Sequence, residues 1–368
     1  MNPVQYHPGK FPPENRLDWQ RLLPLIGPAT SALARYDGML AAVPNPNMLL
    51  APLSTQEAVL SSRIEGTQAT MSEVLGFEAG DRAASPERTS DIHEVINYHR
   101  AMAKAEEMLA SLPLSGRVIR AVHGILLSGA RGANRAPGEY RRTPNWIGPP
   151  GCTIEEAKYV PVSSERLADA MSRWERYIHQ EDMPDLLVQA ANLHAEFEAL
   201  HPFLDGNGRL GRMLIPLFLW QRGRIARPIF YISAYFEANR DAYYERLLAV
   251  SRDNDWTGWG IFFLKAVKHQ ADDNLAKTQG ILNLYDDLKP RIDSATKSRH
   301  TLRTLDWIFQ KPVFSSTSFA RGTSIPAPSA HRILTDLQAH GILQKFSTAS
   351  GNRPALFRFP ELLKIVEE

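Results

Sequence analysis

One stretch restricts this chain more than any other: His201-Pro202-Phe203-Leu204-Asp205-Gly206-Asn207-Gly208-Arg209-Leu210-Gly211-Arg212. Before it, Ala190, Leu193, Phe197 and Leu200 recur every three to four residues, the spacing of an apolar helix face. After it, Leu210, Met213, Leu214, Leu217 and Phe218 repeat that spacing. Two helices are therefore joined by a loop of glycine and polar residues, and the second helix begins near Gly208. The first N–H groups of a helix have no intrahelical acceptor and sit at the positive end of its dipole. A loop delivered there is suited to an anion.

The polar side chains in the stretch have separable uses. His201 has an ordinary pKa near neutrality and can act as a general base. Asp205, four residues on, offers hard oxygen ligands of the kind Mg²⁺ takes together with phosphate oxygens and water. Gly206 and Gly208 let the backbone approach an anion, and Asn207 between them tolerates unusual dihedrals and can donate from its amide. Arg209 and Arg212 lie on neighbouring positions of the first helical turn and can make bidentate contacts to phosphate. No Gly-Lys-Ser/Thr follows, so this is not a Walker A loop. The spacing of His194 and His201 does not suit a metalloprotease helix, and Cys152 is the only cysteine, so it is not a zinc site. Gly-Asn-Gly alone would read as a turn; the whole string brings a base, a carboxylate, an anion cradle and two arginines together.

The stretch resembles the signature of Fic-domain proteins, HxFx(D/E)GNGRxxR, at every fixed position. The resemblance implies nucleotidyl transfer, most often of AMP from ATP to a protein hydroxyl. It implies that His201 takes the hydroxyl proton and Asp205 holds Mg²⁺ against the phosphates. Gly206, Asn207 and Gly208 would form the anion cradle, Arg209 would bind phosphate, and Arg212 would pair with the γ-phosphate. Phe203 would anchor the loop in the core.

Ser61-Ser62-Arg63-Ile64-Glu65-Gly66 lies far upstream, with Ser61 and Glu65 four apart on one helix face and Gly66 suited to a helix end. By itself this reads as a solvated helix. Beside a Fic core it resembles the family's inhibitory motif, (S/T)xxxE(G/N). That resemblance implies a salt bridge from Glu65 to Arg212 in the place of the γ-phosphate, leaving the α-phosphate misaligned for attack. The segment from Pro137 to Gly148, followed by Lys158 to Val162, suggests a β-hairpin. In the family such a flap lies over the site and is thought to hold a target segment by main-chain pairing; an ordinary surface hairpin fits the pattern equally. The stretch from Tyr231 to Tyr244 also resembles the family, which implies that Asn239 and Tyr243 approach the nucleotide. Tyrosines at this spacing can equally be core.

Composition enters as a set of exclusions. A formal net charge of +2 does not announce a nucleic-acid binder, and one cysteine leaves no internal disulfide framework, which fits a reducing compartment. The Pro-rich start lacks the apolar core of a signal peptide, and no apolar run reaches the length of a membrane span. The expectation is a cytoplasmic protein. It divides into an N-terminal helical region to about residue 110 that carries Glu65, a catalytic core over 111–290, and a linker at Lys289–Pro290 before a separate region over 291–368. Gly80 to Ser90 reads as an exposed loop.

The last region has its own pattern. Leu302, Leu305, Ile308 and Phe309 form a helical stripe, Ser315 to Arg321 a second helix, and Ser329 to His340 a third. A hairpin follows, with a strand starting at Gly341-Ile342-Leu343, a polar turn over Ser347 to Pro354, and a strand at Ala355 to Phe359. This resembles a winged helix-turn-helix, in which His331, Arg332, Lys345 and Arg353 could meet DNA phosphates; use for protein contact or dimerisation stays equally open. The expected fold is thus mainly α, a Fic-type helical core with a β-hairpin flap and a C-terminal winged helix-turn-helix. The expected function is a self-inhibited protein adenylyltransferase that uses ATP and Mg²⁺ on an unidentified target protein and on itself. The alternative is a DNA-binding regulator with a nucleotide-sensing site. Family members with this arrangement often self-associate.

Overall fold

The computed structural model describes residues 3–13, 15–129, 134–149, 151–347 and 354–368. In chain order its first elements are β1 (Val4–Gln5), α1 (Trp19–Ala42), α2 (Pro46–Leu49), α3 (Ala51–Ile64), α4 (Met71–Glu78), α5 (Pro86–Leu109) and α6 (Gly116–Leu126). β2 (Tyr159–Val160), α7 (Ser164–Ile178), α8 (Leu186–Leu200), α9 (Asn207–Gln221), α10 (Ser233–Ala238), α11 (Arg240–Asp253) and α12 (Trp256–Thr296) follow. The last are α13 (Thr301–Gln310), β3 (Val313–Ser315), α14 (Ser316–Thr323), α15 (Ala327–Ala339), β4 (Gln344–Ser347), β5 (Leu356–Arg358) and α16 (Pro360–Glu367). The protein is mainly helical, as the periodicity predicts, and its few strands are short. No helix among the described residues is long and apolar enough to cross a membrane.

The chain falls into two compact units. The first takes residues 1–37, 60–67 and 96–272; the second takes 38–59, 68–95 and 273–368. At the centre of the first unit is the pair α8 and α9. Both are buried on nearly every face, from Leu187 to Phe197 on one and from Asn207 to Leu219 on the other. A helix apolar or buried all round belongs in the middle of a bundle rather than at its surface. α7 packs beside them as an amphipathic helix, burying Leu167, Ala170, Met171, Trp174, Tyr177 and Ile178. Trp174 donates its indole N–H to the Leu193 carbonyl (2.8 Å), and Trp259 donates to Ala191 (2.7 Å), so both of these buried indoles are satisfied.

The predicted hairpin is reduced to one antiparallel bridge, Ile147 with Tyr159. Its second strand, β2, pairs in parallel with β1 from the N-terminal segment, which the Pro-rich start of the chain gave no reason to expect. Pro150 lies outside the described residues.

The second unit holds a three-stranded antiparallel sheet in the order β3-β5-β4. Leu305, Ile308, Phe309, Phe314, Phe319, Ile333, Leu337 and Phe359 form its core with α13, α14 and α15. Leu302, read as part of that stripe, points outward instead and is 52% exposed. α4 begins with a capping box, the Thr70 hydroxyl accepting from the Glu73 N–H while the Glu73 carboxylate accepts from Thr70. The exposed loop expected over Gly80 to Ser90 is shorter, because Pro86 opens α5 at a first-turn position where no N–H is needed. The linker expected at Lys289–Pro290 is helical, inside α12. Pro290 removes one backbone hydrogen bond, but Ile281, Leu288 and Ile292 around it are fully buried and hold the turn in place. The C-terminal region carries more than expected: β3, and α16, whose Glu361 forms an ion pair with Arg291 (2.8 Å). The β4–β5 turn, with Arg353, lies outside the described residues.

Candidate active site

The polar loop between α8 and α9 is built from both ends. α8 stops at His201, which takes left-handed dihedrals (φ 46°, ψ 61°), and Gly206 returns the chain to a helix from a second left-handed position (φ 75°). A non-glycine residue held there costs about 1–3 kcal/mol and persists only where its surroundings fix it. At His201 they do. Its N–H donates to Phe197 (3.0 Å), and its carbonyl accepts from Arg141 Nε (2.9 Å) and Asn145 Nδ2 (3.4 Å). Arg141 also donates to the carbonyls of Leu200 (3.3 Å), Thr143 (3.4 Å) and Val162. It thus caps the negative end of α8 and ties that end to both sides of the hairpin. Burial draws the guanidinium down to about 10, still charged at neutral pH.

The centre of the loop is held by Asn207. Its Oδ1 accepts from the Phe203 N–H (2.9 Å) and its Nδ2 donates to the Phe203 carbonyl (2.9 Å). The amide that seemed available to a ligand is therefore engaged within the loop. The Phe203 ring stacks on His123 with centroids 3.7 Å apart. His123 Nδ1 accepts from the Gly138 N–H (2.9 Å), so Nε2 carries the proton that is donated to the Asp205 carbonyl (2.9 Å). Burial pushes this imidazole down to about 4, consistent with a neutral ring. Asp205 Oδ1 accepts from the Gly206 N–H (2.6 Å) and stands 3.6 Å from Arg209. The Asp205 side chain is 41% exposed and that of Arg209 only 3%, so the carboxylate faces the site while the arginine lines it.

Arg212 is wholly enclosed. Its Nε donates to the Ser61 hydroxyl (3.0 Å), and one terminal nitrogen donates to the Ser61 carbonyl (2.7 Å) and to Glu65 Oε1 (2.8 Å). α3 ends at Ile64, and Gly66 (φ 100°) turns the chain away, which leaves Glu65 just past the helix end rather than within it. Arg240 (2.7 Å) and Tyr244 (3.1 Å) both donate to the Ile64 carbonyl and fix that end. The Glu65 carboxylate lies against Gly208, so close that a Cβ at 208 would collide with it. Burial would raise the Glu65 carboxyl, but Arg212, with Arg209 and His201 behind it, outweighs this and holds it below its usual range. The Arg212 guanidinium is pushed up: burial opposes its charge, and Glu65 more than compensates. Burial pushes His201 down to about 4, against the pull of Glu65 and of the Glu198 backbone, so its ring is neutral at physiological pH.

The fold thus gathers His201, Asp205, Gly206, Asn207, Gly208, Arg209, Arg212, Ser61 and Glu65 at one loop. Asn239 sits at the joint of α10 and α11, its Nδ2 donating to the Tyr235 carbonyl (2.9 Å). Tyr243 is core: it is 1% exposed, and its hydroxyl pairs with His194 Nε2 (2.9 Å). His123, Arg141, Asn145, Arg240 and Tyr244 carry much of the geometry and were not singled out by the sequence. For His123 a signal existed, since it follows Val118, Ile119 and Val122 on the buried face of α6. Arg141 stands among Pro, Gly and Arg residues, and nothing local shows that it turns inward.

Asp205 is a single carboxylate, and no group of three or more His, Cys, Asp or Glu side chains able to hold a metal occurs among the described residues. Such a donor set fits Mg²⁺ that borrows further oxygens from a phosphate ligand, not a cation held by protein alone.

Comparison with known proteins agrees with this geometry. Residues 23–107 match the Fic/DOC family N-terminal model and residues 113–219 the Fic/DOC family model. Over 88 residues the chain is 34% identical to proteins named protein adenylyltransferase Fic from Drosophila persimilis and Drosophila grimshawi, which takes in 23% of this chain and 16% of theirs. The chain therefore spans less than a fifth of the length of these curated relatives. A Fic family protein from Desulfovibrio desulfuricans shares the fold over 92% of this chain and 95% of its own (TM-score 0.57, 20% identity). Fic-1 from C. elegans does so over 70% and 72% (TM-score 0.52, 17% identity). With two adjoining family models matched and the signature loop seated between two buried helices, the chain belongs to the Fic/DOC family.

Proposed function

We propose that this protein is a self-inhibited protein adenylyltransferase that moves AMP from ATP to a protein hydroxyl, its own included. The observation that carries the reading is Arg212: a buried guanidinium at the start of α9 whose anionic partner is a carboxylate lying on the Gly208 backbone. A phosphate placed there would find the helix N-terminus and Arg209 as well.

In this reading neutral His201 takes the proton from the target hydroxyl as that oxygen bonds to the α-phosphorus. The bond from the α-phosphorus to the bridging oxygen breaks, and pyrophosphate leaves. Asp205 would hold Mg²⁺, which neutralises phosphate charge when bound. Asn207 keeps the cradle in shape through Phe203. Glu65 is the brake, because while it occupies Arg212 the γ-phosphate has to sit elsewhere, and a shift of about an ångström costs on the order of a hundredfold in rate. Asn239 contributes at the nucleotide's edge. The Trp146–Ile147 edge of the hairpin, 41% and 39% exposed, receives the target segment by strand pairing. The order α13-β3-α14-α15-β4-β5 supports a winged-helix region over 291–368, after a helical region to about 110 and a catalytic core over 111–290. A cytoplasmic location belongs to the same reading.

The test is transfer of label from ATP carrying it on the α-phosphate. The parent chain, Glu65→Gly and Glu65→Gly/His201→Ala are compared with Mg²⁺ present and label read on protein. Label on Glu65→Gly alone is the expected result. Equal labelling of the parent would remove the brake, and labelling of the double variant would remove His201 as the base.

A further inference from the structure

The 42 basic and 40 acidic residues of the chain nearly cancel, but they are not evenly spread. Between Lys297 and Lys345 stand seven lysines and arginines, at 297, 299, 303, 311, 321, 332 and 345, against two carboxylates, Asp306 and Asp336. All seven cations are exposed. Among the described residues none of them is in an ion pair, whereas Arg291 before the segment is paired with Asp287 and Glu361, and Lys364, nineteen residues after it, with Glu368. Asp306 is taken up by the Tyr285 hydroxyl (2.6 Å), and Asp336 is half-buried. Unneutralised charge at this density repels itself and stabilises nothing in the fold.

The same segment folds as a helix-turn-helix. α14 ends at Thr323, Ser324 takes left-handed dihedrals (φ 55°), and α15 starts three residues after Ser324, at Ala327. Ala330, Ile333, Leu334 and Leu337 fasten α15 to the core. Its other face, with His331, Arg332, Thr335 and Gln338, is open. These side chains donate and accept hydrogen bonds, and none is a large apolar anchor. In the whole segment the one large exposed hydrophobic is Leu302. A protein-binding face would be expected to offer aromatic or aliphatic anchors, and a membrane-binding one an apolar ridge. A helix with one open polar face, in a segment of exposed cations that form no ion pair among the described residues, fits the major groove, which admits one α-helix between two rows of phosphates.

We propose that the 297–345 segment binds duplex DNA, with α15 in the major groove and Arg321, Arg332 and Lys345 among its phosphate contacts. This goes beyond the reading of the nucleotide site and does not depend on it. The charge balance of the whole chain conceals the feature, because the remainder is acidic enough to cancel it.

The experiment is fluorescence anisotropy of a labelled, random-sequence duplex of roughly two helical turns, titrated with the full chain at several salt concentrations. Binding is expected to weaken linearly in log–log form as salt rises, by about 0.9 per phosphate neutralised. Arg321→Glu/Arg332→Glu should lose at least about tenfold in affinity at moderate salt while keeping its circular dichroism spectrum, since both side chains are exposed. Arg142→Glu, a reversal at a side chain 87% exposed in the other unit, should change little. Arg332→Gln provides a milder variant should the double reversal fold poorly. Salt-independent binding, equal loss in Arg142→Glu, or tighter binding of single-stranded RNA of the same length would each overturn the assignment.

Discussion

Arg212 and Arg141 are two buried guanidinium groups that serve the same loop and are held in opposite ways. Arg212 is neutralised by one carboxylate, Glu65, and steadied by Ser61. Among the described residues Arg141 meets no carboxylate at hydrogen-bonding distance: its donors go to the carbonyls of Leu200, His201, Thr143 and Val162. A buried cation needs compensation, and either solution supplies it. They differ in what can be exchanged. A carboxylate that is a third exposed can leave if another anion replaces it, and in the proposed function that anion is the γ-phosphate. Backbone carbonyls cannot leave without unfolding the end of α8, so the Arg141 site is fixed. The first arrangement suits a regulated binding position, the second a permanent brace.

The largest effect expected from breaking this contrast is at the base. In a Glu65→Gly background, His201→Ala should lower transfer by about 10²–10⁴-fold, measured as initial labelling rate. Next comes the brake: Glu65→Gly alone should raise the rate by about a hundredfold over the parent. The same substitution leaves Arg212 buried without its anion, so Glu65→Gly should be less stable than the parent without nucleotide and gain more in Tm on adding ATP. An equal ATP shift in both proteins would mean that Glu65 and phosphate do not compete for Arg212. At the fixed site, Arg141→Ala should cost about 2–3 kcal/mol in denaturant unfolding, from charge-assisted hydrogen bonds lost to carbonyls that stay buried, with no recovery on adding ATP. Recovery by ATP would erase the distinction between the two arginines. The smallest effect is in the pH profile. With His201 pushed down to about 4, the base is already neutral throughout, and Glu65→Gly removes a charge that props it up. Its kcat/KM should therefore change by less than about twofold between pH 8 and 6, where an imidazole at its ordinary value would lose roughly fourfold.

How much of this was legible in sequence depends on the distance over which each interaction acts. The loop from His201 to Arg212 was readable because its residues are contiguous and flanked by helix-period apolar patterns. Ser61 and Glu65 could be paired with Arg212 only through the resemblance, since the partners are 151 and 147 residues apart. His123 and Arg141 escaped attention for the same reason: their partners lie 82 and 60 residues away, at Asp205 and His201. The Lys289–Pro290 linker failed for a different reason. Proline was taken as a stop, while the buried residues on either side of it supply enough packing to carry the helix through.

The sequence by itself determined the helical periods, the two glycines that let the loop turn, and the set of side chains able to meet an anion, because all of these are local properties of dihedrals and spacing. Tertiary structure decided which cation is neutralised and by whom. It spent the Asn207 amide on Phe203, placed Tyr243 in the core, stood Glu65 on Gly208, and left the seven cations from Lys297 to Lys345 exposed. Electrostatic compensation acts between groups that meet only after the chain has folded, and no spacing along the chain records it.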